Sequence, residues 1–523
     1  MAVGGVGNLG SSSRLRFFGF ASGLDVDEIV QKLMTAERIP LDRLLQRRQL
    51  LVWQKEDYQT VRLKLRDLDD NVLNLRLNTT FQARTVSSSD EKVVKASASS
   101  GAPLGTHTVT VTSLAAPMSF TSSASISTGP AGANPDAPLA EQFSGLGSSL
   151  NLTVTYTVGT DTQTRSRVFD TATQTLSDVM DWLNGLGFKL TASYDKENDR
   201  FFLASTETGS RTPDGESVSY TFDSGGASFF TDVLKLQDRA GLPIVEGASY
   251  SGTNAQVTLD GANLEFRQNT FTLNGVTYTL VGTGGPATVT VSQNNDGVIN
   301  AIKSFVDLYN TTIEYINGEL REKRYLDYPP LTDAQKKEMS EDEIAKWEEK
   351  ARSGLLRSDP LLTEALSDLR VALSTPVGGT GSKFSSLADI GITTGEWGEY
   401  GKLYLDEDKL RRALGEDLDG VRALFQQKGG SFNTRGVALR LDDALNEAMD
   451  KLADRAGVTG LTADSSGIGK QIKLLDERIE VMEDRLARKE EYYYRRFTLM
   501  ESFISQMNNQ ALWLGQQFNQ FGR

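Results

Sequence analysis

QIKLLDERIEVMEDRLARKEEYYYRRFTLMESFISQMNNQALWLGQQFNQF, residues 471–521, carries one dominant periodicity. Ile472, Leu475, Ile479, Met482, Leu486, Tyr493, Met500, Phe503, Met507, Leu514 and Phe521 fall on a single a/d register, with Lys489, Arg496, Gln510 and Gln517 as its polar members. Such steps belong to a helix whose apolar stripe meets another helix. From Phe497 a second stripe joins it through Ile504, Ala511 and Phe518, spaced seven apart. A helix over 472–521 is about 75 Å long at about 1.5 Å per residue, more than one globular core needs. Between Glu501 and Arg523 no charged residue occurs, while Gln506, Asn508, Asn509, Gln510, Gln516, Gln517, Asn519 and Gln520 supply amides. Those amides are costly in lipid, and water does not call for so wide an apolar face. The pattern predicts packing against helices of protein.

Working back to the other end, a second helical arm emerges. Asp25 and Glu28 make a capping-box pattern ahead of Ile29, Val30, Leu33 and Met34. Pro40 is expected to interrupt that helix. Leu44, Leu51, Tyr58, Val61, Leu65, Leu68, Val72 and Leu75 then continue in steps that from Tyr58 alternate three and four.

Between the arms the composition changes. Residues 85–294 hold 11 Lys+Arg against 20 Asp+Glu and are rich in Thr, Ser, Gly and Val. Thr106–Leu114 and Leu150–Val158 alternate as strands, and Phe188–Tyr194 and Arg200–Ser205 flank the polar turn Asp195–Asp199 as a hairpin. Leu176–Leu183 reads as a short helix stopped by Gly185, and Phe271–Asn274, Val276–Val281 and Ala287–Val291 as further strands. Thr121–Gly147 reads as a long loop. From Val298 to Ile316 the helical period returns, and Pro329-Pro330 ends it. Asp333–Arg352 is a charged helical segment, Asp359-Pro360 opens another helix, and Leu405–Leu424 and Val437–Leu452 follow. The fold class expected is multidomain α+β, with long coiled-coil terminal helices and inserted β-rich domains. Seven segments are expected: 1–40, tail and first helix; 41–80, first half of a helical domain; 81–118 and 243–294, two parts of an inner β domain; 119–242, an outer β-rich domain; 295–465, the rest of the helical domain; and 466–523, the C-terminal coiled-coil helix.

The remaining arithmetic mostly excludes. The 523 residues suffice for three or four domains, and a net charge of −14 disfavours nucleic acid and anionic membrane as partners. Without cysteine there are no disulfides or thiolate sites, and with His107 alone there is no multi-histidine metal site. No run of 18 apolar residues occurs, and the opening 20 residues lack the apolar stretch of a cleaved signal peptide. Gly5, Gly7 and Gly10 match a dinucleotide fingerprint by letter, but no strand fits before Gly5. Asp195, Glu197 and Asp199 imitate a calcium loop, but Arg200 and Thr206 stand where Gly and Glu are needed. His107 sits in an alternating strand without a nucleophile signature in the chain. The expectation is no enzyme, no cofactor and no metal.

The terminal blocks resemble a known family. Ser22-Gly23-Leu24-Asp25, Ile29-Val30, Leu33-Met34, Glu37-Arg38, Pro40-Leu41-Asp42 and Leu44 are similar to the opening of the bacterial flagellar filament cap family, hook-associated protein 2. Arg485-Leu486, Glu490, Tyr493, Phe497, Met500-Glu501, Met507-Asn508, Gln510, Trp513-Leu514 and Phe518 are similar to its close. Thr191–Ser210 and Asn274–Asn317 resemble segments shared with other axial proteins, and Tyr328–Pro360 resembles the family's charged helix. The likeness spans nearly the whole chain and is weakest over 119–242.

That resemblance implies a structural role at the distal filament tip, outside the cell, reached by type III export without a cleaved signal peptide. It implies a homo-oligomeric ring, expected to be a pentamer, that retains exported flagellin and promotes its folding and insertion. Its other partners would be hook–filament junction proteins and a cytoplasmic export chaperone, with no nucleic acid and no membrane insertion. Leu65, Leu68, Val72, Met500, Ile504, Met507, Leu514 and Phe518 are the expected oligomer and filament contacts. Ile504, Met507, Ala511, Leu514, Phe518 and Phe521 are the expected chaperone site. The alternative is a secreted surface adhesin or fibre protein binding host glycans or proteins.

Overall fold

The computed structural model describes residues 25–127, 132–458, 460 and 464–521, except the side chains of Trp397 and of 516–521. The Gly5–Gly10 motif lies outside them, as do the side chains of Phe518 and Phe521. The chain divides into two compact units, Met1–Leu77 with Ile299–Arg523, and Asn78–Val298.

The first unit is helical. Its principal helices are α1 (Val26–Arg76), α3 (Asn295–Arg321, whose first residues belong to the other unit), α4 (Glu341–Arg352), α5 (Pro360–Ser374), α6 (Val437–Ala456) and α7 (Gly467–Phe521); α2 (Leu176–Asn184) lies in the β-rich unit. Asp25 caps α1, its carboxylate accepting the Glu28 N–H at 2.9 Å. The expected break at Pro40 does not occur, and α1 runs through it for 51 residues. A proline removes one intrahelical hydrogen bond, and packing against α6 and α7 outweighs that local cost. The boundary expected between 40 and 41 therefore falls inside one helix.

The periodicity of α1 does what its spacing requires. Tyr58, Val61, Leu65, Leu68, Val72 and Leu75 are buried, as are Leu441, Leu445 and Leu452 of α6. Polar groups tie the helices where apolar stripes cannot specify register. The Tyr58 hydroxyl donates to Asp359 Oδ2 at 2.5 Å, and Asp359 Oδ1 caps α5 by accepting the Leu362 N–H at 3.1 Å. Burial and the Asp359 carboxylate both push the Tyr58 phenol up. Arg352, the last residue of α4, donates to Asp57 on α1 at 2.6 Å. The charged segment expected over Asp333–Arg352 is two helices, Asp333–Lys337 and α4, because Ser340 opens a new capping box with Glu343.

The second unit is antiparallel β. A five-stranded sheet runs in the order Arg84–Ser88, Gly284–Gln293, Gly105–Ser113, Ala255–Leu259, Ala262–Phe266. It shares a core with the three-stranded sheet Thr270–Leu273, Val276–Leu280, Val94–Ala98, through Val109, Val111, Val289, Val257, Tyr278 and Phe271 among others. A second core extends from Met118 to Ile244 and includes Leu152, Val154, Phe201, Leu203, Phe222 and Phe230. Its strands form two four-stranded sheets, one of which ends in the hairpin Ser149–Val158 and Asp161–Asp170. On the solvent face of that hairpin Thr153–Ser166, Thr155–Thr164 and Thr157–Thr162 pair hydroxyls at 2.8, 3.1 and 3.2 Å. Helix α2 stops at Gly185 as expected and starts on a Thr175–Asp178 capping box.

The chain passes between these two cores where backbones touch. Ala116 and Thr253 exchange both N–H···O bonds at 2.9 Å, and a Cβ on Gly252 would meet Gly209 O at 2.5 Å and Ala116 O at 2.6 Å. Only glycine fits Gly252 at that approach.

Candidate assembly interface

α1 and α7 run antiparallel, as their contacts show in order. Lys55 pairs with Asp464 at 2.6 Å, Arg48 with Asp476, Leu41 packs with Ile479 and Leu486, and Glu37 meets Lys489 and Tyr493. Met34, Leu44 and Met482 flank this apolar cluster half-buried. Glu37 accepts from Lys489 Nζ and, at 3.1 Å, from the Tyr493 hydroxyl; Lys489's hydrogen bond is the main reason its carboxyl is held below the usual range. Lys489 is the first of the polar members of the α7 stripe, and Glu37 is the group it meets.

Past Tyr493 the partner thins out while the apolar character continues. Continuing the pairing at equal rise brings Val26 level with about residue 502, so α7 runs on for about twenty residues beyond the start of α1. Leu499 is 68% exposed, Phe503 64% and Trp513 58%, with Met507, Leu512 and Leu514 also exposed. Met500 and Ile504 are half-buried, and Ala511 is exposed. Each apolar side chain in water forgoes about 25 cal/mol per Å² that burial would provide. Exposed Leu, Phe and Trp within about four turns, with Glu501 the one charged residue among them, make a candidate association surface.

The expected contact residues therefore separate into two groups. Leu65, Leu68 and Val72 are fully buried inside the helical unit, where they pack the subunit itself. In this conformation they have no surface left for a partner. A seven-residue stripe cannot distinguish a neighbouring helix of the same chain from one of another chain. Met500, Ile504, Met507, Ala511 and Leu514 lie on the open stretch of α7. Leu499 and Leu512 join them off both stripes; the absence of charge over 502–522, rather than any period, is the signal that could have found Leu512, and no sequence signal singles out Leu499.

The other sequence candidates resolve into structure. Asp195–Asp199 is the turn of the hairpin Leu190–Asp195 and Arg200–Ser205, with Asp199 accepting from Ser127 and Tyr194 at 2.7 Å each. His107 lies in the strand Gly105–Ser113 with its Nδ1 2.7 Å from Asp260 Oδ2. Among the described residues no group of three or more His, Asp or Glu could hold a metal ion. No described helix is long and apolar enough to cross a membrane.

Long terminal helices in one unit, with a β-rich unit inserted between them, define an axial-type structural subunit. The same architecture is found in the solved D1-D2-D3 domains of the flagellar cap protein FliD from Escherichia coli, at a TM-score of 0.52 and 21% identity, covering 80% of this chain and 99% of that one. Residues 22–117 match the flagellar hook-associated protein 2 N-terminus and residues 252–509 its C-terminus. Flagellar hook-associated protein 2 of Halalkalibacterium halodurans is 33% identical over 96% of this chain and 100% of its own length. A-type flagellar hook-associated protein 2 of Pseudomonas aeruginosa is 27% identical over 94% of each chain. The chain belongs to the flagellar hook-associated protein 2 family. These relatives bear flagellar names and lend no support to the adhesin alternative.

Proposed function

We propose that this protein is a structural subunit of the cap at the distal tip of the bacterial flagellar filament. The observation that carries the reading is the open, uncharged, apolar end of α7 in a chain of this family. Self-association places copies in a ring, taken as a pentamer, with the α7 ends directed at filament subunits. In that position the cap retains exported flagellin until it folds and inserts, and keeps it from the medium. Met500, Ile504, Met507 and Leu514 are the contacts we assign to the ring and filament, with Phe518 as their continuation in sequence. Before export the same stretch, Ile504, Met507, Ala511 and Leu514 with Phe518 and Phe521, needs cover from a chaperone, because exposed apolar helix surface aggregates. Hook–filament junction proteins are the first platform, and the chain leaves the cell by type III export. The role is mechanical rather than catalytic.

The test is flagellin partitioning. In a strain lacking the gene, flagellin should shift from sheared filaments to monomer in the medium, and added purified protein should restore growth. Removing Ile504–Arg523 should reproduce the loss. Normal filaments and motility without the gene would overturn the cap reading.

A further inference from the structure

The strand Asp161–Asp170 ends its sheet, and its free edge is open for nearly its whole length. It pairs with Ser149–Val158 at all ten positions without a shift in register. The two-residue turn Gly159-Thr160 makes Val158–Asp161 the closing hydrogen-bonded pair. Alternation then gives Tyr156–Gln163, Val154–Arg165 and Leu152–Arg167 the inward bonds. Thr162, Thr164, Ser166 and Val168 point their N–H and C=O groups away from the sheet. The hydroxyl contacts Thr157–Thr162, Thr155–Thr164 and Thr153–Ser166 agree, since non-hydrogen-bonded pairs bring side chains closest. At the far end the Thr171 N–H donates to Ser148 O at 3.2 Å, in phase with the same alternation.

The outward groups of Asp170 are already used: its N–H donates to Gln174 Oε1 at 2.9 Å and its carbonyl accepts the Gln174 N–H at 2.8 Å. The Thr164 carbonyl accepts from Arg165 Nη1 at 3.2 Å. Everything from Asp161 to Val168 is otherwise solvent-exposed. The stations span about 20 Å. Native edges are commonly shortened, bulged or interrupted by proline, and this one is none of these.

We propose that this edge receives an extended segment of an unfolded polypeptide, which adds to the sheet as a further strand. The inference rests on the cap role, in which an exported subunit arrives unfolded. A second copy of the same strand is disfavoured. Antiparallel pairing of the open stations, Thr162 with Val168 and Thr164 with Ser166, sets Arg165 against Arg165, and like charges directly opposite repel. The edge selects little else. One face carries the hydroxyls of Thr162, Thr164 and Ser166. The other carries Gln163, Arg165 and Arg167, whose guanidiniums lie over Phe188 and Phe169 at 5.8 and 4.7 Å. Main-chain hydrogen bonds therefore supply the hold, and carboxylates opposite the two arginines supply the preference. Binding of that kind is weak and tolerant of sequence, as holding a chain briefly requires.

Residue-resolved hydrogen exchange on the full chain tests it, with a ten-residue alternating Thr-Glu peptide as probe and an alternating Thr-Lys peptide as charge control. The amides of Thr162, Thr164, Ser166 and Val168 should exchange fast alone and slow by about tenfold or more with the Thr-Glu peptide. The Thr-Lys peptide should protect them less, and the amides of Gln163 and Arg165 should stay unchanged. Ser166→Pro removes one outward N–H at a position an edge strand tolerates, and should abolish the protection. Thr162→Pro is the second variant should Ser166→Pro disturb the hairpin. Outward amides already slow in the free protein, no slowing at saturating peptide, or slowing retained in a well-folded proline variant would each overturn the proposal. In cells, Ser166→Pro should release flagellin to the medium. Normal filaments with Ser166→Pro, where gene deletion abolishes them, would sink the edge's role and leave the cap reading standing.

Discussion

Asp69 on α1 and Asp442 on α6 lie within hydrogen-bonding reach of each other, and the nearby cation Arg76 pairs with Asp442. Asp69 Oδ1 is sealed from solvent without a donor. Burial first, and then the Asp442 charge, push the Asp69 carboxyl up to about 6. The folded-state value therefore exceeds the unfolded one. The proton is favourable when bound, so stability falls as pH rises from about 4 to about 6 and levels off above.

Asp69→Asn removes that penalty, because an amide can donate to Asp442 without carrying charge. The variant should be more stable than the parent by about 1 kcal/mol at pH 8, allowing for solvent screening, and the gap should close towards pH 4. Urea denaturation across this range checks it. A gap that is constant with pH would assign the effect to packing.

Leu68 and Met507 should behave as opposites. Leu68→Ala opens a cavity in the helical unit and should cost about 2–5 kcal/mol. Met507→Asp should leave subunit stability within about 0.5 kcal/mol while preventing assembly. Denaturation of the subunit, together with filament growth in the complemented strain, separates the two. Loss of stability in Met507→Asp would mean that this turn of α7 is packed within the subunit.

Gly252→Ala should destabilise the β-rich unit by about 1–3 kcal/mol, since the added methyl meets the Gly209 and Ala116 carbonyl oxygens, the second of which already accepts the Thr253 and Gly209 N–H groups. Local exchange should speed first at Ala116 and Thr253. Unchanged exchange there would show that the backbones separate without cost.

Arg440 is buried on α6, donates to the Thr375 carbonyl at 2.8 Å and lies over Phe432, yet its Nε and Nη1 have no acceptor. A buried cation without a carboxylate rarely outperforms a hydrocarbon of its size. Arg440→Met should therefore be neutral or stabilising by about 1 kcal/mol in thermal unfolding. A loss above about 2 kcal/mol would show that its contact with Thr375 holds the end of α5 in place.

Much of this architecture was legible because it rests on local rules. The a/d steps of α7, the Asp359-Pro360 helix start and the Asp195–Asp199 turn are each written within a few residues. The Pro40 expectation failed because a local penalty competed with the packing of a 51-residue helix, which no window around Pro40 contains. The strand Asp161–Asp170 was missed because it is polar on both faces and does not alternate; Val218–Asp223 does alternate, through Val218, Tyr220 and Phe222, and was legible but overlooked. At the candidate interface, periodicity found the stripe but not its owner, so Leu65 and Met507 were grouped together. Burial separates them, and burial depends on residues hundreds of positions away.

The pairing of α1 with α7 also sets a timetable. Glu37 waits for Lys489, and Arg48 for Asp476, at sequence separations of 452 and 428. A ribosome adds those residues one by one, so the stretch of α1 around Glu37 and Arg48 has no mate until α7 emerges. Closing so long a loop comes late, and contacts of that separation form slowly. Through most of its synthesis the leading arm is left single, in a state still thin enough to thread.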